Sequence, residues 1–190
     1  MIPFNPPPEP PNFDKEVRQP GNAWLLKNPD PKKGTKNYWS PFKSILADGF
    51  KNLCGYSAMY EPVGTVDHFL SRDNYRSLAY EWSNLRFASA WINSTKGTLD
   101  DKVLDPFDLG EHWFEILLPS LQLVLTDKVP PQQRQKAQFT LERLRLQDDE
   151  RVLRQRQAWY QLYLDKDITL QGLEKRAPLI ARAIKKQQGA

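Results

Sequence analysis

Nine of the sixteen prolines in this chain fall within its first 31 residues, at positions 3, 6, 7, 8, 10, 11, 20, 29 and 31. Proline has no backbone N–H and a fixed φ, so it breaks helix interiors and is kept out of inner strands. Residues 1–38 are therefore predicted to form an extended arm, neither helix nor inner strand. Phe4, Phe13, Trp24, Leu25 and Leu26 interrupt its polar sequence. Disordered tails are poor in aromatic residues, so an arm that docks on its own domain or on a partner is favoured over a free tail.

The whole chain, at 190 residues, is long enough for one domain or for a small domain with appendages. Apolar residues make up 39% and include six Trp, which allows a core, but a mean hydropathy of −0.67 keeps that core small. Net charge is +4, with 27 basic and 23 acidic residues. That balance permits nucleic-acid binding without requiring it. The single cysteine, Cys54, excludes an internal disulfide and a Cys-rich zinc knuckle, and fits a reducing cytoplasm. Met1 leads into proline-rich sequence rather than a signal peptide, and no long apolar run suggests a membrane span. A soluble cytoplasmic protein is expected.

Ser40-Pro41 is a helix start, with Phe42, Ile45, Leu46 and Phe50 at helical spacing behind it. Leu53–Tyr60 and Val63–Leu70 are predicted to form two short strands around the turn residues Glu61, Pro62 and Gly64. Ser71–Tyr80 is polar. From Asn84 to Lys96, Leu85, Ala88, Trp91 and Ile92 form a helical stripe that ends at Gly97. Thr98–Pro119 is expected to be irregular. Helices are expected near 131–146, 149–164 and 169–187. The fold class predicted is α+β and mostly helical, divided as an arm over 1–38, a core over 39–125 and a helical region over 126–190.

The chemistry concentrates between Val66 and Lys96. Asp67 and His68 are adjacent, Asn84 follows sixteen residues after His68, and Asn93 nine after that. Hydrolysis of a resistant bond needs a base to activate water, a cation to neutralise developing charge, and a scaffold that aligns them. Histidine suits the first task because its pKa lies near physiological pH. Carboxylate and amide oxygens are hard ligands that suit Mg²⁺ or Mn²⁺. The other histidine, His112, lies outside this pattern and is read as structural.

This order of residues resembles the motif of the HNH nucleases, whose two-stranded hairpin and helix (the ββα-metal motif) hold one divalent cation against a phosphodiester. The resemblance implies His68 as general base and Asp67 and Asn93 as ligands of Mg²⁺ or Mn²⁺. It implies Asn84 as the residue that braces the intervening loop. Lys96, one turn beyond Asn93, is a candidate for the substrate phosphate or simply a partner of the helix dipole. Many HNH proteins carry two cysteine pairs for a structural zinc. Here Cys54-Gly55-Tyr56-Ser57 keeps one Cys and the Tyr, and the second pair is missing, so no structural zinc is expected.

Val66–Ser71, Tyr80-Glu81-Trp82-Ser83-Asn84-Leu85 and the Asn93–Lys96 helix end further resemble the HNH subunit of Septu-type and retron-linked anti-phage systems. That likeness spans roughly residues 50–165 and implies a DNA-cutting effector that works with an ATPase subunit. Two readings compete with it. One is a non-catalytic adaptor that retains the HNH fold. The other is a helical nucleic-acid-binding protein that uses Arg134–Arg156.

Overall fold

A computed structural model describes residues 1–189. The protein is α+β and mostly helical, with two separate two-stranded antiparallel sheets among the described residues. The first sheet pairs β1 (Thr65–His68) with β2 (Leu85–Ala88), so that Asp67 lies opposite Arg86 and His68 opposite Leu85. The second pairs β3 (Phe114–Ile116) with β4 (Leu123–Leu125). The helices are α1 (Gln19–Lys27), α2 (Lys43–Gly49), α3 (Ala90–Lys96), α4 (Pro131–Arg143), α5 (Glu150–Leu164), α6 (Leu170–Arg176) and α7 (Pro178–Gln187). No helix among the described residues is long and apolar enough to cross a membrane.

The hairpin expected from Leu53–Tyr60 and Val63–Leu70 is corrected. Leu53 and Tyr60 share only an isolated bridge, and the partner of β1 comes from Leu85–Ala88, where the apolar stripe predicts helix. Leu85 and Ala88 fit a helical stripe and a short strand equally well over so few residues, and pairing with β1 decides between them. Helix α3 therefore starts only at Ala90 and lasts two turns. It ends at Gly97, where φ is +49° and the N–H donates to Asn93 O at 3.0 Å. The region expected to be irregular, Thr98–Pro119, contains β3.

The extended arm is corrected as well. Asp14–Lys27 is helical, beginning as a π turn in which Gln19 N–H reaches back to Asp14 O. The wide turn immediately precedes Pro20, which has no N–H to give to a regular ladder. The helix lies against the domain. Gly21 has no side chain because a Cβ there would stand 2.2 Å from the Tyr80 ring. Phe4, Phe13 and Val17 are buried, and Trp82 Nε1 donates to Pro7 O at 2.8 Å.

Two apolar clusters result. One gathers Phe4, Phe13, α2, Trp82, Leu85 and Phe87; the other gathers Ala88, Ile92, β3, β4 and the C-terminal helices. The β1–β2 sheet stands at their junction. The C-terminal helices start at good caps: Asp149 accepts from Arg151 N and Thr169 from Gly172 N. Pro178 divides the last predicted helix into α6 and α7.

Candidate functional site

At the C-terminal end of β1, the chain opens a cleft of about 180 Å³ lined by Val66, Asp67, His68, Ser71, Arg72, Asp73, Asn93, Gly97 and Thr98. The strand supplies Asp67 and His68, and α3 supplies Asn93. Strand, loop, strand and helix thus bring together three of the five residues singled out in the sequence.

His68 is 7% exposed. Its Nε2 lies 2.8 Å from Ala79 O, and a carbonyl can only accept, so the proton sits on Nε2 and the Nδ1 lone pair is left available. Nδ1 has no hydrogen-bond partner among the described residues. Trp39 stacks edge-on against the imidazole with ring centroids 4.6 Å apart. Burial lowers the His68 pKa to about 3; the bond to Ala79 opposes this, and Arg72 and Lys96 add to it. The ring is neutral at physiological pH, so it can accept a proton, but at that pKa it is a weaker base than an ordinary histidine.

Asn93 is oriented by its amide nitrogen. Nδ2 donates to Thr65 Oγ1 at 2.8 Å and to Val66 O at 3.3 Å. Its Oδ1 has no partner among the described residues, and the residue lines the cleft. Asn84 is buried between the strands. Its Oδ1 accepts from Leu70 N at 2.8 Å, while Nδ2 donates to Leu70 O at 2.9 Å and Leu78 O at 3.1 Å. One amide thereby closes both ends of the loop between β1 and β2. Asp100 fixes the front of that loop through Ser71 N and Asn74 Nδ2. Burial pushes the Asp100 carboxyl upward, but those hydrogen bonds outweigh it and hold its pKa below the usual value.

Asp67 and Lys96 form a buried pair. Lys96 Nζ lies 3.0 Å from Asp67 Oδ1 and 2.9 Å from His68 O, with side chains 0% and 2% exposed. Tyr56 Oη donates to Asp67 Oδ2 at 2.6 Å. Burial, and then the negative charge of Asp67, push the Tyr56 phenol pKa well above its usual value. Lys96 therefore does not reach the cleft lining; the ammonium expected to meet a phosphate is the counter-ion of Asp67 instead. A second buried pair, Arg86–Asp105, lies across the sheet, with Arg86 Nε 2.7 Å from Asp105 Oδ1 and its guanidinium stacked 3.7 Å from the Phe107 ring.

Comparison with protein-family models gave no match. A search of curated protein sequences gave none.

The sequence signals for the supporting residues are uneven. Tyr56 stands in the Cys-x-Tyr segment, but nothing local marks it as a partner of Asp67. Trp39 and Asp100 carry no local signal, because each acts on the site from a distant segment; Arg72 is only four residues from His68, but nothing local marks its stacking on Trp39. Cys54 is buried, and its Sγ accepts from Ser89 N and Oγ, both at 3.3 Å. His112 lies outside the cleft; its carbonyl accepts from Thr126 Oγ1 at 2.6 Å.

Asp67 and Asn93 bring two oxygen-bearing side chains to the cleft, but the Asp67 carboxylate is 2% exposed with one oxygen on Lys96 and the other on Tyr56, so Asn93 Oδ1 is the donor left without a partner among the described residues. No cluster of three or more His, Cys, Asp or Glu side chains suited to a metal occurs among the described residues. Two hard oxygens fit Mg²⁺ or Mn²⁺, which keep several of their waters. Each carboxylate oxygen retains a free lone pair beside its one protein partner.

Proposed function

We propose that this protein is a divalent-metal-dependent endonuclease of the HNH type that hydrolyses phosphodiester bonds of DNA. The reading rests on one observation: Asp67, His68 and Asn93 meet in one cleft at the end of a strand–strand–helix unit. On this reading β1, β2 and α3 form a ββα-metal core.

His68 Nδ1 takes a proton from a water molecule as the water oxygen bonds to phosphorus, the P–O bond to the leaving strand breaks, and a solvent water protonates the departing oxygen. The Nε2–H bond to Ala79 O keeps the imidazole in the tautomer that can accept that proton. Asp67 and Asn93 would hold Mg²⁺ or Mn²⁺, which supplies charge neutralisation at the phosphate. Asn84 keeps the loop, and so the His68 backbone, in place. By resemblance, the protein acts as the effector of an anti-phage system together with an ATPase subunit.

The Lys96–Asp67 pair favours a second reading, a non-catalytic adaptor, because it already compensates the carboxylate. Cleavage of supercoiled plasmid with Mg²⁺ or Mn²⁺ separates the two. Wild type should nick or cut, and His68→Ala should be slower by about 10²–10⁴-fold, the usual contribution of a positioned base. No metal-dependent cleavage by wild type, alone or with the ATPase subunit, would leave the adaptor.

A further inference from the structure

Residues 27–36 pack on residues 72–76, whose Arg72 and Asp73 line the cleft, and the two segments together make a lip beside it. Arg76 Nη2 donates to Asn28 O at 2.7 Å, Arg72 Nη1 donates to Thr35 Oγ1 at 2.8 Å, and Tyr80 Oη both donates to Lys36 O and accepts from Lys36 N. Arg72 lines the cleft and stacks 5.2 Å from the Trp39 ring, which in turn packs on His68. The lip is thus tied to the candidate base through a short chain of neighbouring side chains.

Its charge is not compensated. The two segments carry Lys27, Lys32, Lys33, Lys36, Arg72 and Arg76 against Asp30 and Asp73, an excess of four that equals the net charge of the whole chain. None of the six cations has an ion-pair partner among the described residues. Lys32, Lys33 and Lys36 are exposed. The corner between α4 and α5, one of several further basic stretches, is built differently. Residues 142–154 hold Arg143, Arg145, Arg151 and Arg154 against Glu142, Asp148, Asp149 and Glu150, and three of these arginines are paired with carboxylates. Balanced charge of that kind is a solvated helical corner. Uncompensated charge beside a cleft attracts a polyanion.

We propose that the lip formed by Lys32, Lys33, Lys36 and Arg72 binds the phosphate backbone of a nucleic acid and leads it into the cleft. Backbone contacts position a strand without reading its sequence. The proposal deepens the nuclease reading by assigning the substrate-holding surface to the N-terminal segment rather than to the corner between α4 and α5.

The test is binding of a short fluorescent DNA duplex, and of one of its single strands, over a series of salt concentrations in EDTA. Lys32→Gln/Lys33→Gln/Lys36→Gln should weaken binding and lower the slope of log K against log salt by about 0.9 for each phosphate that the variant no longer neutralises. Arg143→Gln/Arg145→Gln/Arg151→Gln, with the same change in net charge, should leave the slope as in wild type. Equal slopes for the lysine variant and wild type, or no binding by wild type, would overturn the proposal. Cleavage is scored separately. A lip that binds in a protein that never cuts would remove the nuclease reading alone. Normal cutting with an unchanged slope in the lysine variant would remove the lip alone.

Discussion

The two strand pairs are of similar size, but only β1–β2 adds buried polar side chains to apolar ones such as Leu85, Phe87 and Ala88. In β3–β4 the buried side chains are Phe114, Ile116 and Leu123. In β1–β2 they include Asp67, His68 and Arg86. A hairpin that only joins helices to a core is served by apolar side chains, whose burial contributes roughly 1.5–3 kcal/mol each. Buried charges must be paired and hydrogen-bonded merely to break even, and an apolar replacement of similar volume is often as stable. The β1–β2 sheet takes on that disadvantage while facing a cleft. The contrast supports placing the chemistry there and scaffolding at β3–β4.

The strongest way to break the comparison is Lys96→Met. It strands the Asp67 carboxylate, and removing one member of a buried pair costs about 3–5 kcal/mol. Chemical denaturation should show that destabilisation; a change below about 1 kcal/mol would mean the pair is not buried as described. Asn84→Ala comes next. It leaves Leu70 N and Leu70 O without their partner and Leu78 O with Glu81 N alone, for about 2–3 kcal/mol, and slows cleavage as the loop loosens. A melting temperature equal to that of wild type would contradict it.

A smaller, pH-dependent effect belongs to His68. Its folded pKa is lowered to about 3 from an ordinary value of 6.5. Above pH 6.5 the ring is neutral in both states and contributes no pH dependence. Between there and about pH 3 only the unfolded chain binds the proton, so wild type loses stability relative to His68→Gln as pH falls. The slope is at most about 1.4 kcal/mol per pH unit. Parallel stability curves for the two proteins would show that His68 is not held neutral by burial.

The smallest expected change in stability is the most informative. Asp67→Leu/Lys96→Met/Tyr56→Phe converts the polar centre of β1–β2 to the apolar type found in β3–β4. Unfolding free energy should stay within about 1–2 kcal/mol of wild type while metal-dependent cleavage disappears. A large drop in stability would make the Asp67–Lys96–Tyr56 group a structural device instead.

Much of the helical framework is legible locally. Asp149 and Thr169 mark the starts of α5 and α6, and Gly97 marks the end of α3, because caps and stops depend on nearest neighbours. The order Asp67, His68, Asn84, Asn93 is legible too, as is the bracing expected of Asn84. The strand at Leu85–Ala88 is not, since four residues cannot distinguish a period of two from one of 3.6. The helix over Asp14–Lys27 is hidden by Pro20, which the π turn before it accommodates. Lys96 reads as a helix-end cation free to meet a phosphate, and nothing within a few residues of it reveals Asp67 as its partner.

By itself the sequence determined which chemical groups are present, their order, and where most helices start and stop, for these follow from local backbone and capping energetics. Tertiary structure alone decided which strand pairs with β1, that Lys96 neutralises Asp67, that His68 is buried and uncharged, and that unpaired lysines of the N-terminal segment stand beside the cleft. Those properties come from desolvation and from packing between segments far apart in the chain, and both exist only once the chain has folded.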